Sequence, residues 1–207
     1  MVRVKICGIA NQADAFKAVS LGADALGFIF AESPRKISPE GALEIIRCIP
    51  PFVQIVGVFV DEDPKVINDI INFCGLDLVQ LHGEESPGFC TKFMPRTIKA
   101  FRIKDEASLK RIRDYKGHVR ALLFDTYSKN KMGGTGRTFD WDLALKGGEH
   151  GLPIVLSGGL SPSNIERAIS SARPYAIDVN SGIEESPGVK DYMLMEKFMK
   201  IVRRIQI

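Results

Sequence analysis

The sequence predicts an α/β fold, a single-domain (β/α)8 TIM barrel that occupies residues 1–207. Short apolar runs typical of strands covered on both faces alternate eight times with segments of helical periodicity. The units have a similar length of ~26 residues, and right-handed crossovers at such regular spacing close a parallel sheet into a barrel. An open doubly wound sheet is the alternative. It would carry a nucleotide fingerprint after its first strand, and segment 7–11 does not match one.

Apolar runs, helical spacing and capping residues predict the individual elements. Strands are predicted at 2–6, 25–30, 54–60, 78–81, 97–101, 121–125, 154–156 and at the start of 175–183. Helices are predicted at 11–21, 38–49, 63–73, 86–93, 106–114, 141–145, from 161 onward and at 192–204. The pairs Ser38-Pro39, Asp63-Pro64 and Ser161-Pro162 each offer an N-cap residue followed by proline at the first helical position. These pairs predict where three of the helices begin.

Composition narrows the class of partner. The chain has 28 basic and 25 acidic residues, and it has no basic block interleaved with aromatic residues, so no nucleic-acid partner is expected. No run approaches the ~20 apolar residues of a membrane span, and the N-terminus has no apolar signal region. We therefore expect a cytoplasmic protein with no membrane contact.

Neither the cysteines nor the histidines have metal-ligand spacing, so no metal site is predicted. The four cysteines, which contain no CxxC pair, are Cys7, Cys48, Cys74 and Cys90. The three histidines, which contain no HxH or HxxxH pair, are His82, His118 and His150. Three of the cysteines fall among apolar residues of predicted helices, as small buried hydrophobes do. Cys7 differs because it ends a strand.

Polar residues at the carboxyl ends of barrel strands converge on one site. That rule selects Cys7, Arg35, His82, Asp125, Gly133, Gly134 and Gly136, segment 157–159 and segment 178–182. Asp125 follows three apolar residues, where a carboxylate is costly unless it faces a polar cavity. Three alternatives stay open: Cys7 is a packed hydrophobe or a reactive thiol, Arg35 a solvated side chain or a forked donor, and His82 a site residue or a backbone contact. The glycines at 133–136 form either a hinge or a closing lid.

Two glycine-bearing segments predict a phosphate site. Gly158 and Gly159 follow the seventh strand and precede a helix, where backbone N–H groups without a Cβ in the way face the positive end of the helix dipole. Asp178, Ser181 and Gly182 follow the eighth strand. The loops after strands seven and eight commonly bind phosphate in (β/α)8 barrels.

Six motifs, in order along the whole chain, resemble the phosphoribosylanthranilate isomerase family. They are Lys5-Ile6-Cys7-Gly8; Gly27-Phe28-Ile29-Phe30 with Ser33-Pro34-Arg35; Gln80-Leu81-His82-Gly83-Glu84; Asp125 with Gly133-Gly134-Thr135-Gly136 and Phe139-Asp140-Trp141; Leu156-Ser157-Gly158-Gly159-Leu160; and Asp178-Val179-Asn180-Ser181-Gly182 with Pro187-Gly188. The departures are slight. Ser157 stands where alanine is frequent in the family, and Asn180 where serine is frequent.

The resemblance implies an enzyme of L-tryptophan biosynthesis that converts the aminoaldose phosphoribosylanthranilate to the aminoketose 1-(2-carboxyphenylamino)-1-deoxyribulose 5-phosphate by an Amadori rearrangement. It implies Asp125 as the acid that opens the ribose ring and Cys7 as the base that takes the C2′ proton. Position at the barrel mouth makes a further set of residues candidates for substrate binding: Arg35, His82, Gly133, Gly134, Gly136, Gly158, Gly159, Asp178, Ser181 and Gly182. Because the Schiff-base nitrogen of the substrate is the electron sink, no cofactor is expected. The expected partner is the small-molecule substrate, and the protein is expected to be a monomer or a homodimer.

The two catalytic roles make opposed demands. To act as a base Cys7 must be partly thiolate, so its pKa is expected at or below the free value of ~8.5, with Lys5 as a nearby positive group. Asp125 must instead hold a proton, which desolvation at a closed barrel mouth favours.

Cys7 and Asp125 at the strand ends argue against three rival classes. A pentose-phosphate epimerase uses carboxylates and histidines around a metal, and an indole-glycerol-phosphate synthase places lysine and glutamate in the mouth. A non-catalytic phosphate-binding barrel needs neither Cys7 nor Asp125, and a turnover assay decides between it and an enzyme.

Overall fold

The structure is a computed structural model that describes residues 2–103, 105–126, 143–145 and 151–205. Eight parallel strands pair in chain order and the eighth pairs with the first, which confirms the predicted barrel. The strands are β1 Arg3–Cys7, β2 Ala25–Ile29, β3 Gln54–Phe59, β4 Leu78–Leu81, β5 Thr97–Ile103, β6 Ala121–Thr126, β7 Ile154–Ser157 and β8 Ala176–Val179. Each overlaps its predicted run.

Helices connect the strands and cover the outside of the barrel. They are Gln12–Ser20, Pro39–Ile46, Pro64–Cys74, Pro87–Thr91, Ile165–Ala172 and Tyr192–Ile205, with a 3-10 helix at Glu106–Tyr115. Residues 143–145 are also helical, and residue 141, where that helix is predicted to open, lies outside the described residues. Within the described ranges, no helix has both the length and the apolar character needed to cross a membrane.

Two of the predicted helix starts are confirmed by their caps. The Ser38 side chain accepts a hydrogen bond from the backbone N–H of Gly41, and the Asp63 side chain accepts one from Lys65. A proline follows each cap, where its fixed φ suits the first helical position and its missing N–H costs nothing.

The third predicted helix start, at Ser161, is wrong. The helix after β7 begins at Ile165, with Asn164 in the N-cap position. The Asn164 side chain accepts a hydrogen bond from the Ser161 N–H and donates one to the Gly159 carbonyl. It thereby closes a turn that delays the regular helix, because a short amide side chain competes for backbone partners.

The apolar core has an outer and an inner part. Outward-facing strand residues such as Ile6 and Leu122 share one large buried cluster with helix residues. Inside the barrel a smaller cluster lies on β5 to β8: Ile98, Ala100, Ala121, Leu123, Val155 and Ala176. On the side of β1 and β2 the interior instead carries Lys5, Cys7 and Gly27, so this part of the barrel interior is polar.

A short antiparallel hairpin follows β8 and was not predicted. It consists of Glu184–Ser186 and Val189–Lys190. Its strands are two and three residues long and carry no apolar alternation, so no periodic signal could reveal them. The hairpin matters because it brings Glu184 and Lys190 to the carboxyl-terminal face of the barrel.

Candidate active site

Cys7 is the last residue of β1, and only 4% of it is exposed. Because side chains alternate along a strand, Lys5 lies on the same face of β1. Gly27 on β2 pairs with Cys7, and a Cβ built on Gly27 would lie 2.8 Å from Cys7 Sγ and 3.0 Å from Lys5 Nζ. The thiol and the ammonium are therefore neighbours, and only glycine leaves room for both.

The electrostatic surroundings of Cys7 differ from the sequence-based expectation. Burial raises the pKa of the Cys7 thiol, and the carboxylate of Asp178 raises it further, whereas Lys5 lowers it through its charge and through hydrogen bonding. Lys190 also lowers the pKa of Cys7, by a smaller amount. The expectation of a pKa at or below the free value is therefore wrong for the protein's own groups, because desolvation of the thiolate outweighs the nearby cations.

Asp178, predicted at the barrel mouth, is paired inside the barrel. It lies opposite Lys5 in the β1–β8 register, and Lys5 Nζ donates to Asp178 Oδ1 over 2.8 Å. The Ser157 hydroxyl donates to Asp178 Oδ2 over 3.3 Å. Asp178 is only 5% exposed, and each of its carboxylate oxygens has a protein hydrogen-bond partner.

Asp125 and His82 meet at the ends of β6 and β4. His82 Nε2 lies 3.4 Å from Asp125 Oδ2, and both side chains are partly exposed. Behind the ring, Gln80 Nε2 lies 3.1 Å from His82 Nδ1. Since an amide NH2 group only donates, Nδ1 is assigned as the acceptor and the ring proton is assigned to Nε2, which faces Asp125. The buried Gln80 Oε1 has no hydrogen-bond partner among the described residues.

A buried ion pair stabilises the loop that carries His82. Lys99 Nζ lies 3.1 Å from Glu85 Oε2 and donates to the carbonyl oxygen of Gly83 over 2.7 Å. The Glu85 carboxylate in turn accepts hydrogen bonds from the backbone N–H groups of Gly83 and Asp61. The loop after β4 is thus tied to the loop after β3, which limits the freedom of His82.

Arg35 lies in the loop after β2 and is engaged by the unpredicted hairpin. Its Nε donates to Glu184 Oε1 over 2.8 Å, and its Nη2 donates to Glu184 Oε2 over 2.6 Å. Lys190 Nζ contacts the same carboxylate at 3.0 Å and donates to Asn180 Oδ1 over 2.9 Å. Asn180 and Arg35 approach the backbone closely at Gly8, because this residue has no Cβ; a Cβ there would lie 2.7 Å from Asn180 Oδ1 and 2.9 Å from Arg35 Cδ.

The two predicted phosphate loops are in direct contact. A Cβ on Gly182 would lie 1.8 Å from the carbonyl oxygen of Leu160, so only glycine fits against that backbone. Gly158 and Gly159 both have positive φ, at 89° and 63°. A Cβ on Gly159 would meet nothing within 4 Å, so this part of the loop faces open space. The structure therefore brings segments 158–159 and 181–182 together on one face of the barrel.

The structure brings the described site residues together in small groups: Cys7 with Asp178 through Lys5, Arg35 with Gly8 next to Cys7, His82 with Asp125, and segment 158–159 with segment 181–182. Gly133, Gly134 and Gly136 lie outside the described residues. Within the described ranges no group of three or more histidine, cysteine, aspartate or glutamate side chains is arranged to hold a metal ion.

Sequence reasoning missed three residues of this site, Gln80, Glu184 and Lys190, and it expected Lys5 only as a positive group near Cys7. Period two along β4 was a usable signal for Gln80, because Gln80 precedes His82 by two positions and shares its face. Glu184 and Lys190 gave no signal, since their contacts depend on the hairpin.

A closed eight-stranded parallel barrel, with titratable side chains and glycine loops at the carboxyl ends of its strands, defines a (β/α)8-barrel enzyme. Residues 4–201 match the family model of N-(5'phosphoribosyl)anthranilate (PRA) isomerase. The chain therefore belongs to the N-(5'phosphoribosyl)anthranilate isomerase family, and it is an isomerase. The resemblance inferred from the six motifs is confirmed.

Individual relatives agree over nearly the whole chain. The N-(5'-phosphoribosyl)anthranilate isomerase of Pelobacter propionicus is 51% identical over 204 residues, which cover 98% of this chain and 96% of the relative. A solved phosphoribosyl anthranilate isomerase in complex with reduced 1-(o-carboxyphenylamino)-1-deoxyribulose 5-phosphate is 43% identical, with a TM-score of 0.89 over 99% of this chain and 100% of the other. Monomers generated from the dimeric Thermotoga maritima enzyme are 41% identical, with a TM-score of 0.87 over 98% and 99% of the two chains.

Proposed function

We propose that this isomerase converts N-(5'-phosphoribosyl)anthranilate to 1-(2-carboxyphenylamino)-1-deoxyribulose 5-phosphate, in L-tryptophan biosynthesis, with Asp125 as general acid and Cys7 as general base. We assign these two roles from the positions of Cys7 and Asp125 in the barrel. Cys7 is the last residue of β1 and Asp125 the penultimate residue of β6, so both lie at the carboxyl-terminal face, where (β/α)8 enzymes place their chemistry. Their strands, β1 and β6, are three steps apart around the closed barrel, so a substrate lying across the mouth is flanked by both.

The two proton transfers account for the reaction without a cofactor. Asp125 donates its proton to the ribose ring oxygen as the C1′–O bond breaks, and the nitrogen lone pair forms the C1′–N double bond of a Schiff base. The Cys7 thiolate then removes the C2′ proton, and the electron pair of the C–H bond flows through the Schiff base to nitrogen. The resulting enolamine tautomerises to the ketose. Positioned acids and bases of this kind contribute roughly 10² to 10⁴-fold each.

His82 acts on the acid rather than on the substrate's carbon skeleton. Its Nε2 faces Asp125 Oδ2 at 3.4 Å, and Gln80 fixes the orientation of the ring from behind. After Asp125 has released its proton, the Nε2–H group faces the new carboxylate and stabilises it. Ring opening is favoured by this arrangement.

The substrate phosphate is proposed to bind the backbone N–H groups of segments 158–159 and 181–182. Contact between the two loops through Gly182 and Leu160 supports this proposal, because it holds the segments in one place before the ligand arrives. The positive φ angles of Gly158 and Gly159 support it as well, since turns of this kind can gather backbone N–H groups around an anion.

Arg35 is proposed to bind the anthranilate carboxylate. Glu184 already holds two of its donor atoms, Nε and Nη2, which fixes the plane of the guanidinium. Because the guanidinium is already held in one plane, Arg35 loses less conformational entropy when a second carboxylate binds. Lys190 supplies a further positive charge beside the same carboxylate of Glu184.

We also propose that the chain forms a homodimer through the amino-terminal face of the barrel. Phe52, just before β3, is 98% exposed and has φ 74°, so the backbone presents a large apolar ring to solvent. Beside it is a cavity of about 450 Å³ lined by the amino-terminal halves of the strands, including Val56, Leu78 and Val155. A two-fold axis lets Phe52 of each copy enter the cavity of the other, and the relative from Thermotoga maritima is described as dimeric.

We further propose that the protein is cytoplasmic and that residues 1–207 form one domain.

The reaction is tested by mixing the purified protein with N-(5'-phosphoribosyl)anthranilate, following the loss of anthranilate fluorescence and identifying the ketose product by mass and chromatographic retention. Turnover to the ketose is the expected result. Substrate that decays only at the rate of the buffer control contradicts the proposed function.

A further inference from the structure

Lys5 is a buried lysine to which the acid and base steps assign no part. It is 5% exposed, inside the barrel and one alternation below Cys7 on β1. Its Nζ and the Cys7 Sγ both lie within 3.0 Å of one point above Gly27. A buried ammonium is costly unless it is paired, so its presence here calls for a reason.

Asp178 keeps Lys5 charged. Burial alone lowers the pKa of Lys5, but the neighbouring Asp178 and Cys7 raise it above its usual value. The contact from Lys5 Nζ to Asp178 Oδ1 is 2.8 Å, and Ser157 holds the other carboxylate oxygen. Asp178 thus favours the charged form of the Lys5 ammonium and anchors it from β8, the strand next to β1.

Other charged groups that face Cys7 are engaged elsewhere. In the described part of the chain these are Lys190, whose Nζ is bonded to Glu184 and Asn180, and Arg35, which is forked onto Glu184. Asp178 is the anion that faces Cys7. Lys5 is therefore the cation placed to accompany a charge on the Cys7 sulfur.

We propose that Lys5 is the positioning residue that makes Cys7 a usable base, by donating a hydrogen bond to the thiolate from an ammonium anchored on Asp178. This inference rests on the proposed role of Cys7. When Cys7 takes the C2′ proton, the sulfur changes from thiolate to thiol, while Lys5 keeps its proton and Asp178 its charge. Lys5 acts before that step, by raising the thiolate fraction, and its contact is with the base rather than with the substrate.

The proposal predicts opposite effects for the two members of the ion pair. Lys5→Met removes the cation at similar volume, so the pKa of Cys7 rises. Asp178→Asn removes the anion, and the thiolate becomes the remaining counterion of Lys5, so the pKa of Cys7 falls. A merely structural ion pair gives no such pair of opposite shifts.

The test is a pH titration of the Cys7 ¹³Cβ chemical shift, in protein labelled at cysteine, with the resonance assigned from Cys7→Ser. We expect the Lys5→Met midpoint to lie at least about one pH unit above that of the wild type, a tenfold loss of thiolate at neutral pH, and the Asp178→Asn midpoint to lie below it. Lys99→Met is the matched control, because Lys99 is equally buried and paired but faces Glu85 rather than Cys7. It should leave the Cys7 midpoint unchanged.

Removing one partner of a buried pair can unfold a protein, so the double variant Lys5→Met/Asp178→Asn, which buries no charge, is measured as well. Its Cys7 midpoint should lie above that of Asp178→Asn alone. Steady-state kinetics add a second readout: Lys5→Met should lose about tenfold in kcat at neutral pH, regain rate at higher pH, and keep KM within a few-fold.

The proposal is overturned if the Cys7 midpoint does not move in Lys5→Met and does not differ between the double variant and Asp178→Asn, or if both single variants shift it in one direction. The titration needs no substrate, so it separates this inference from the role of Cys7. If Cys7→Ser retains full turnover, the base assignment fails whatever the titration shows. An unshifted midpoint with an inactive Cys7→Ser overturns only the role of Lys5.

Discussion

The guanidinium of Arg35 is forked onto the carboxylate of Glu184, two residues that are 149 positions apart in sequence, with contacts of 2.8 Å and 2.6 Å. Burial alone raises the pKa of Glu184, but the hydrogen bond from Arg35 and the charge of Lys190 hold it below its usual value. Glu184 is therefore ionised at neutral pH. It orients Arg35 without competing for all of its donors, because the guanidinium has five N–H groups.

Glu184→Gln is expected to raise KM several-fold with a smaller effect on kcat. Only one polar atom of the amide is a hydrogen-bond acceptor, so the glutamine no longer holds both Nε and Nη2 of Arg35 and the guanidinium can rotate. Arg35→Lys should weaken substrate binding although it keeps the charge. Glu32→Gln is the matched control, since Glu32 pairs with Lys36 in the same loop and is exposed. Wild-type kinetics in both Glu184→Gln and Arg35→Lys remove the pair from the site.

The phosphate loops give a second prediction. Gly182→Ala places a methyl group 1.8 Å from the Leu160 carbonyl oxygen, so the two loops must separate. Gly159→Val meets no protein atom at its Cβ, but it fills the proposed binding space and carries the strain of φ 63°. Both variants should raise KM more than they lower kcat, and inorganic phosphate should inhibit them less than the wild type. An unchanged KM together with unchanged phosphate inhibition places the phosphate elsewhere.

The Gln80–His82 contact predicts a tautomer. In ¹⁵N spectra of histidine-labelled protein, the His82 ring should carry its proton on Nε2 at pH values where it is neutral. Gln80→Met keeps the volume and removes the donor, so the preference for Nε2–H should weaken, and kcat should fall with KM nearly unchanged. His118, whose Nδ1 contacts Thr91 far from the mouth, is an internal control in the same spectra. A proton on Nδ1 of His82 in the wild type contradicts the assigned geometry.

The predicted dimer depends on one exposed ring. Phe52→Asp should convert the protein from dimer to monomer in light scattering, because the charged side chain cannot replace the apolar contacts of the ring with Val56, Leu78 and Val155 of a partner. Turnover should persist, since Phe52 lies at the opposite end of the barrel from Cys7 and Asp125. Phe73→Asp, at a half-exposed phenylalanine on the helix Pro64–Cys74, is the matched control and should not change the mass. A monomeric wild type, or a Phe52→Asp variant that stays dimeric, contradicts this interface.

Local patterns were sufficient for the fold and for part of the candidate site. Apolar runs located all eight strands, because strands buried on both faces are continuous in sequence, and strand ends located Cys7, His82 and Asp125. The helix start after β7 was misplaced, since Ser161 satisfies the capping pattern but Asn164 wins the backbone contacts. The partner of Arg35 could not be predicted, because its position depends on a hairpin without periodicity. The pKa of Cys7 was misjudged because strand position reports nearby charges but not the extent of desolvation.

We propose that Cys7 and Asp125 carry out the two proton transfers, and the single-turnover rate of Cys7→Ala and Asp125→Asn with N-(5'-phosphoribosyl)anthranilate tests both roles directly. Excess enzyme removes product release from the measured rate, and circular dichroism together with product affinity shows that fold and binding persist. Cys90→Ala, at a buried cysteine with a pKa raised to about 11 mainly by burial, is the control and should retain its rate. Each site variant should lose roughly 10² to 10⁴-fold in the rate of chemistry while product affinity stays within a few-fold. A single-turnover rate near that of the wild type in either variant contradicts its assigned role.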